Sequence, residues 1–318
     1  MSLSLDWLSR LLDLAPVQGS LDLRCLYGAP WEIAQDASAE GEIPYHVILD
    51  GEAVLQGPPG KPALRLAPGD ILLLPHGQAH RLFDGGDERP EPAQARFRLN
   101  LVVSENTGEG ARLDMLCGRF IVAAPHDRWL RAYLPPSLVV RTKQDAEKTE
   151  SATQLGALVA LMRTESAADN LGGFAMLNAL STAMFALVLR LASETAEMPR
   201  GLLALAGHPR LAPAVTAMFH RPDHPWTLHE LAELCHMSRA TLIRQFQEAL
   251  GHSASELLLD IRMTLAARQL GATPLSTGAV AETVGYQSEA AFQRAFKQRM
   301  GMTPAAWRRS ARAQPSPA

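Results

Sequence analysis

Residues 238–251 read SRATLIRQFQEALG, and residues 288–301 read SEAAFQRAFKQRMG. At an offset of fifty the two stretches share identities that pair Ser238 with Ser288, Ala240 with Ala290, Arg244 with Arg294, Phe246 with Phe296 and Gly251 with Gly301. Repetition at a fixed spacing indicates that one structural unit occurs twice in the chain. The preceding segments LAELCHM (231–237) and VAETVGYQ (280–287) also match, so the repeat extends backwards by one more predicted helix.

Each copy predicts a helix-turn-helix. Ser238 and Ser288 stand where an N-cap side chain accepts hydrogen bonds from the free amides of a following helix. Gly251 and Gly301 stand where a helix ends in a left-handed residue. Apolar residues spaced four apart predict the buried face of each second helix, namely Leu242 and Phe246 in the first copy, and Phe292 and Phe296 in the second.

The opposite face of each second helix is polar and predicts a DNA contact surface. Its residues are Arg239, Ala240, Ile243, Arg244 and Gln247 in the first copy, and Glu289, Ala290, Gln293, Arg294 and Lys297 in the second. A helix presented in this way enters the major groove, where Arg reads guanine or holds phosphate and Gln reads adenine. A helical scaffold with solvated arginines is the alternative for a single copy, whereas two copies favour DNA binding.

Charge supports a polyanionic partner for the last third of the chain. Residues 221–318 hold ten Arg and one Lys against eight acidic residues, whereas the whole chain has a net charge of −3. Between the copies, residues 255–270 have helical periodicity, and sixteen helical residues span about 24 Å. We expect this helix to hold the two recognition helices in successive major grooves of double-stranded DNA, about 34 Å apart.

Residues 226–309 resemble the DNA-binding domain of the AraC/XylS family of bacterial transcription regulators. The resemblance rests on WTLHELAELCHMSRATLIRQFQEALGHS and AVAETVGYQSEAAFQRAFKQRMGMTPAAWRR, with Ala254 where the first copy commonly has Pro. It implies promoter DNA and RNA polymerase as partners, and activation as the sense of regulation.

The front half predicts an all-β structure, because short apolar runs from Asp36 to about Val122 are separated by Gly and Pro. The segment GDILLLPHGQAH (69–80) fits the second cupin motif and resembles the cupin-like sensor of many family members. The predicted fold class is therefore α+β in two domains, an N-terminal cupin-like β-barrel plus helices and a C-terminal all-α domain with two helix-turn-helix units. We expect a sensor domain at 1–145, a helical dimerisation or linker region at 146–206, and the DNA-binding domain at 207–318.

Two groups of side chains are candidates for sensing a signal. His46, His76 and His80 are candidate ligands of a divalent metal, although the expected H-x-H is absent and no cofactor is expected. Cys25 and Cys117 each lie near an arginine, which lowers the pKa of a thiol, and family members that answer reactive oxidants or reactive chlorine have cysteines in similar places. We therefore expect a redox-responsive pair, with two inert buried thiols as the alternative. Cys235 replaces Val284 of the second copy and is expected to be an inert core residue.

The apolar run 171–189 predicts a buried or dimer-forming helix rather than a membrane span, because glycines and polar residues dilute it. Leucines and a methionine spaced by three and four indicate a dimer seam, consisting of Leu177, Leu180, Met184, Leu187 and Leu191. The first residues lack the basic region of a signal peptide, so a cytoplasmic location is expected.

Together these features predict a cytoplasmic, homodimeric transcription regulator, and not an enzyme, whose sensor domain answers an oxidant or a small molecule. Two alternatives stay open: a constitutive DNA-binding regulator with a vestigial sensor, and a cupin-type metalloenzyme with an accessory helical domain.

Overall fold

The structure is a computed structural model that describes residues 6–57, 62–124, 126–145, 149–195 and 201–313. It divides into two compact units. The β unit consists of Val17–Asp127 and Leu134–Thr195, and the helical unit consists of Met1–Pro16, Arg128–Tyr133 and Ala196–Ala318. The predicted two-domain α+β fold class is confirmed.

The β unit is built on two sheets. Its strands are β1 (Val17–Gly28), β2 (Glu32–Gln35), β3 (Glu42–Asp50), β4 (Ala53–Leu55), β5 (Leu64–Leu66), β6 (Asp70–Leu73), β7 (His80–Phe83), β8 (Gln94–Phe97), β9 (Val102–Glu105), β10 (Arg112–Val122) and β11 (Leu138–Arg141). One sheet has the order β11-β6-β3-β10-β1-β9-β8 and the other β2-β7-β4-β5. Neighbouring strands are antiparallel, apart from the parallel pair β1 and β9.

The core between the sheets is apolar and contains two of the candidate site residues. Because side chains alternate along a strand, every second residue of β1, β3 and β10 faces inward. The buried cluster includes Cys25, Tyr27, Trp31, Ile48, Leu72, Leu82, Met115 and Cys117. The cupin-motif segment forms β6, a turn and β7, with Gly69 and Gly77 at positive φ as the turn requires.

Three helices complete the β unit: α3 (Thr142–Asp145), α4 (Glu150–Ala167) and α5 (Gly173–Glu194). The backbone of β1 approaches α5 so closely at Gly19 that an added Cβ would lie 2.4 Å from the Thr182 amide nitrogen. Thr182 and Asn178 of α5 accept hydrogen bonds from the amides of Gly19 and Leu21, at 2.8 and 3.1 Å. β9 pairs with β1 only from Leu23 onward. The polar side chains of α5 therefore satisfy backbone amides of β1 that have no partner on β9.

The predicted seam on α5 faces the interior of its own unit. Leu177, Met184 and Leu191 are buried, and Leu180 and Leu187 are half-buried. The seam assignment is therefore wrong, because these heptad positions are covered within the β unit, where α5 packs on β1 and α4. α5 is the one described helix long and apolar enough to cross a membrane, by length and composition only.

The helical unit contains α1 (Trp7–Leu14), α6 (Leu202–Gly207), α7 (Ala212–His220), α8 (Leu228–Leu234), α9 (Arg239–Leu250), α10 (Ala254–Ala272), α11 (Thr277–Thr283), α12 (Glu289–Met300) and α13 (Pro304–Ala313). The helix α2 (His126–Tyr133) contributes its residues from Arg128 onward. The division differs from the predicted boundaries, because α4 and α5 pack with the strands while α1 packs on α7 and α10.

Candidate DNA-binding surface and thiol–imidazole cluster

The two helix-turn-helix units share the same turn geometry. α8 and α9 form the first unit and α11 and α12 the second. His236 has φ 50° and Gly285 has φ 82°, and these residues occupy equivalent positions of the two turns. The next residue in each turn donates its amide to a carbonyl five residues earlier, Met237 to Ala232 at 3.0 Å and Tyr286 to Ala281 at 2.9 Å. The repeated sequence therefore specifies a repeated backbone.

The ends of both recognition helices are capped as predicted. The Ser238 hydroxyl accepts from the Thr241 amide at 3.2 Å, and the Ser288 hydroxyl accepts from the Ala291 amide at 3.4 Å. Both helices end at a glycine with φ 77°, Gly251 in the first and Gly301 in the second. Ala254, which departs from the family pattern, is the first residue of α10. Ser253 and Glu256 form a capping box at this end, so the helix begins here without a proline.

The ten predicted DNA-contacting residues of α9 and α12 are all exposed. Ile243 is half-exposed, at 50% of its surface, which is unusual for a large apolar side chain on a helix that buries its opposite face. The two amides of this surface already have partners within the chain: Gln247 donates to the Gly251 carbonyl at 3.0 Å and Gln293 donates to the Glu289 carboxylate at 2.9 Å. DNA therefore has to compete with Glu289 for Gln293.

Several of the arginines that make residues 221–318 basic form hydrogen bonds or ion pairs within the chain. Arg262 donates to the Pro222 and His224 carbonyls, and Arg268 is paired with Asp13. Arg299 is paired with Asp260 of α10. The exposed charge of the predicted contact surface consequently comes from Arg239 and Arg244 of α9 and from Arg294 and Lys297 of α12.

Asp260 is a buried junction that the sequence analysis missed. It is 6% exposed, and its carboxylate accepts from the Arg299 guanidinium and from the Tyr133 hydroxyl. The hydrogen bond that Arg299 donates to Asp260 raises the pKa of Arg299, and burial raises the pKa of Tyr133. One carboxylate thus joins the helix between the two repeats, the C-terminal end of the second recognition helix, and a segment from the front half of the sequence. The sequence does contain a signal for this buried carboxylate, because Asp260 is an acidic residue within the apolar run LLLDI.

Cys25 and Cys117 meet inside the β unit, as the redox hypothesis requires. Their sulfur atoms lie 3.8 Å apart, and both side chains are buried. His46 lies opposite Cys117 in the register of β3 and β10, and its Nδ1 atom is 3.2 Å from the Cys117 sulfur. The Nε2 atom of His46 is 2.8 Å from Nε2 of His80. Two thiols and two imidazoles therefore form a continuous chain, the thiol–imidazole cluster.

The Gln78 carbonyl determines which atom of each hydrogen bond in this cluster is the donor. Nδ1 of His80 lies 3.1 Å from the Gln78 carbonyl, which can only accept, so this nitrogen carries the proton. In the neutral ring the Nε2 atom of His80 is then an acceptor, and Nε2 of His46 must be the donor. The Nδ1 atom of His46 is left with a lone pair, and it accepts the S–H of Cys117. His46 is therefore oriented as a proton acceptor for this thiol.

Burial keeps the cluster neutral in the reduced protein. Burial, together with the neighbouring His80, lowers the pKa of His46 to about 3, and burial also lowers that of His80. The hydrogen bond with Cys25 and burial raise the pKa of Cys117 well above its ordinary value. The expected lowering by nearby arginines is wrong for Cys117, because Arg24 is paired with Asp114 and Arg119 with acids on the surface.

The three candidate metal ligands do not converge. His76 lies 3.1 Å from the Leu134 carbonyl, away from the contact between His46 and His80. Across the residues that the structure describes, no group of three or more His, Cys, Asp or Glu side chains is arranged to hold a metal ion. The donor set present does not fit the predicted site. Cys235 is buried, and burial raises its pKa, as expected of a core residue.

Comparison with known proteins covers both units. Residues 6–194 match the family described as Cupin, and residues 231–310 match the family described as Helix-turn-helix domain. An uncharacterized HTH-type transcriptional regulator of Haemophilus influenzae is 30% identical over 307 residues, which are 96% of this chain and 99% of that protein. The RCS-specific HTH-type transcriptional activator RclR of Escherichia coli K12 is 29% identical, over 97% of this chain and 99% of that protein.

Among solved structures, the DNA-binding domain of AdpA in complex with a target DNA is 30% identical, covering 33% of this chain and 94% of that one, with a TM-score of 0.31. The family matches and the full-length relatives agree with the paired helix-turn-helix units and the sheets described above. The chain belongs to the AraC family of HTH-type transcriptional regulators with a cupin domain, and it is a DNA-binding transcription regulator rather than an enzyme.

Proposed function

We propose that this regulator activates transcription in the cytoplasm in response to a two-electron oxidant, which joins Cys25 and Cys117 by a disulfide. The observation that carries the proposal is the 3.8 Å contact of the two sulfur atoms, with an imidazole placed to accept a thiol proton. The relative named as an RCS-specific activator, aligned over 97% of this chain, supports the same kind of signal and the same sense of regulation.

On DNA, α9 and α12 each enter a major groove and read different bases. Arg244 and Arg294 occupy equivalent positions and suit guanine or phosphate. Beside them α9 presents the exposed Ile243, which suits a thymine methyl group, whereas α12 presents Gln293, which suits adenine. The nineteen residues of α10 span about 28 Å, so the half-sites are expected about one helical turn of DNA apart.

The oxidation step is balanced by a reagent such as hypochlorous acid. Cys117 passes its proton to Nδ1 of His46, and His46 passes the proton on its Nε2 atom to His80, so that the positive charge rests on the less buried ring. The thiolate takes chlorine from hypochlorous acid and releases hydroxide. The Cys25 sulfur then displaces chloride, and its proton is released. In total, two thiols and one hypochlorous acid give one disulfide, water, chloride and a proton.

The new bond has to move the strands that carry it. Cys25 pairs with Met115 and Cys117 with Leu23 in the register of β1 and β10, so the two cysteines are diagonal neighbours. Diagonal residues of an antiparallel pair lie about 7–8 Å apart. The Cα atoms of a disulfide are usually separated by about 4.4–6.8 Å. Oxidation is therefore expected to shift β1 against β10.

Both strands lead directly into segments of the helical unit. The helix α1 ends at Leu14, three residues before β1 begins, and its apolar face is buried in the helical unit. β10 ends at Val122 and is followed by α2, whose last residue, Tyr133, donates to Asp260. A shift of β1 and β10 can thus reach α10 and the second recognition helix through the chain itself.

The test is to map the thiols after graded oxidation. Purified protein is treated with increasing hypochlorous acid, quenched, unfolded, alkylated and digested, and the peptides are identified by mass spectrometry. A peptide pair joined through Cys25 and Cys117, formed while Cys235 is still alkylated, supports the proposal. Oxidation that spares both residues until the protein unfolds contradicts it. Cys235→Ser is the control variant, since it removes the third thiol and leaves the pair.

Two further measurements, DNA binding and metal content, separate the alternatives. A constitutive regulator with a vestigial sensor would bind DNA equally before and after oxidation, even where the disulfide forms. A divalent metal on His46 and His80 would appear in elemental analysis of protein purified without chelator, and His80→Ala would remove it. The hydrogen bond between the two rings favours the metal-free chain of donors described above.

A homodimer and contact with RNA polymerase complete the proposal. Because the heptad of α5 is buried, a partner copy would cover the outer face of this helix, where Phe174 and Met176 are exposed, together with the exposed Leu171 just before the helix. Two copies would double the phosphate contacts on promoter DNA. Sedimentation of the full chain as a monomer at micromolar concentration, and on DNA as a single copy, would contradict the dimer.

A further inference from the structure

The β unit contains a cavity of about 360 Å³ that is separate from the thiol–imidazole cluster. It lies between β3, the turn at Gly69, α3 and α4. Its lining residues are Ile48, Leu49, Gly69, Thr142, Lys143, Ala152, Thr153, Gly156, Val159, Ala160 and Arg163. The volume is in the range of pockets that bind small organic molecules.

The lining combines an apolar interior with cations at the rim. Leu49 and Val159 are buried side chains that supply the apolar part. Lys143 is exposed, and Arg163 is half-exposed with the Asp114 carboxylate 3.9 Å from its guanidinium. No Asp or Glu is among the lining residues that the structure describes. This arrangement selects a molecule with an apolar body and a negative end.

Gly156 indicates that the cavity is maintained at a cost to the helix. Glycine within a helix is less favourable than alanine, so its presence in the middle of α4 calls for a reason. Packing does not supply one, because an added Cβ would meet nothing nearer than the Thr142 Cβ atom, at 4.0 Å. Ala152, Gly156 and Ala160 follow one another at intervals of four and face the cavity. Larger side chains at these positions would fill it.

We propose that this cavity binds a small amphipathic monocarboxylate, with its apolar body against Leu49 and Val159 and its carboxylate between Lys143 and Arg163. The site is distinct from the oxidant-sensing cysteines, so this proposal stands whether or not the disulfide forms. The β unit would then answer a second, non-covalent signal. The chemistry that recognises the ligand is burial of a short hydrocarbon or ring together with pairing of one negative charge.

The test uses octanoate as the probe, with octylammonium and octan-1-ol as probes of the same length and different charge. Methyl NMR of the full-length protein follows Leu49 and Val159 during titration, and calorimetry gives the dissociation constant. Gly156→Leu fills the cavity, whereas Ala157→Leu adds the same bulk to an exposed residue of α4 that does not line it. Lys143→Gln removes one rim charge and is expected to weaken octanoate binding roughly tenfold, the loss of one charge-assisted hydrogen bond.

Octanoate is expected to shift the Leu49 and Val159 methyl signals of the wild type and of Ala157→Leu, and not those of Gly156→Leu. Ala160→Leu serves as a second cavity-filling variant if Gly156→Leu fails to fold. The proposal is overturned if octanoate at about 10 mM leaves the Leu49 and Val159 signals unchanged, because the ligand efficiency would then be below that of ordinary small molecules. It is also overturned if octylammonium binds as well as octanoate, or if both filled variants bind like the wild type.

Discussion

Asp260 offers the sharpest test of how the helical unit is held together. Its carboxylate is the shared acceptor of Arg299 and Tyr133, and its side chain is 8% exposed while that of Arg299 is 37% exposed. Removing one partner of a buried ion pair costs about 3–5 kcal/mol, because the remaining charge loses its compensation. Asp260→Asn is therefore expected to lower the free energy of unfolding of the helical unit by about 3 kcal/mol, the lower value applying because water still reaches Arg299. Tyr133→Phe removes one hydrogen bond and is expected to cost about 1 kcal/mol.

Urea unfolding of the full chain, followed by tryptophan fluorescence, measures both losses. Trp226 and Trp307 belong to the helical unit, and Trp307 donates to the Ala267 carbonyl of α10. Glu248→Gln is the control, since it removes one negative charge from an exposed residue of α9. An Asp260→Asn transition within about 0.5 kcal/mol of the Glu248→Gln transition, the range of ordinary surface substitutions, would refute the buried junction.

Three further predictions concern DNA, pH and the recognition-helix core. Arg244→Ala and Arg294→Ala should each weaken binding to a selected DNA site by about 1–3 kcal/mol, measured by fluorescence anisotropy, and equal losses on random DNA would show phosphate rather than base contacts. Because the pKa of His46 is lowered to about 3, the unfolded chain binds the proton first as pH falls below about 6.5, and stability should fall by up to about 1.4 kcal/mol per pH unit. His46→Gln should flatten that slope in urea titrations, and an unchanged slope would assign it to other groups. Phe296→Ala, at a fully buried site against Trp307, should cost about 3–5 kcal/mol in thermal unfolding, and a loss below about 1 kcal/mol would mean that this helix is not packed as described.

The helix-turn-helix repeat could be predicted from sequence because its signals are local. N-cap serines, C-cap glycines and aromatic pairs four residues apart act within one or two turns, and the structure retains each of them. The turn residue His236 was harder to predict, since its positive φ shows only through its equivalence to Gly285. The cupin motif was likewise a local pattern, and its turn forms between β6 and β7.

Contacts between residues that are far apart in the sequence could not be predicted. Arg299 was counted as part of the basic patch, although its partner Asp260 lies thirty-nine residues away. The thiol–imidazole cluster depends on the register of β3 against β10, which sets His46 beside Cys117. The nearby arginine does not lower the pKa of the Cys117 thiol, because Arg119 is paired with acids on the surface while Cys117 lies in the core.

The same limit explains the seam on α5. Two heptads of apolar residues satisfy a helix packed on a sheet as well as a coiled coil, because both need one apolar stripe. Gly19, the residue that admits this helix against β1, lies more than 150 positions from Asn178 and has no local signature.

The most direct test of the account is DNA affinity before and after formation of the disulfide. A site is first selected from randomised duplexes with the protein itself, and its dissociation constant is then measured for the reduced protein, the protein treated with one equivalent of hypochlorous acid, and the same sample after dithiothreitol. The account predicts a change of at least about tenfold, 1.4 kcal/mol, that dithiothreitol reverses and that Cys25→Ser abolishes. A protein whose Cys25 and Cys117 are fully joined, yet whose affinity equals that of the reduced form, would contradict it.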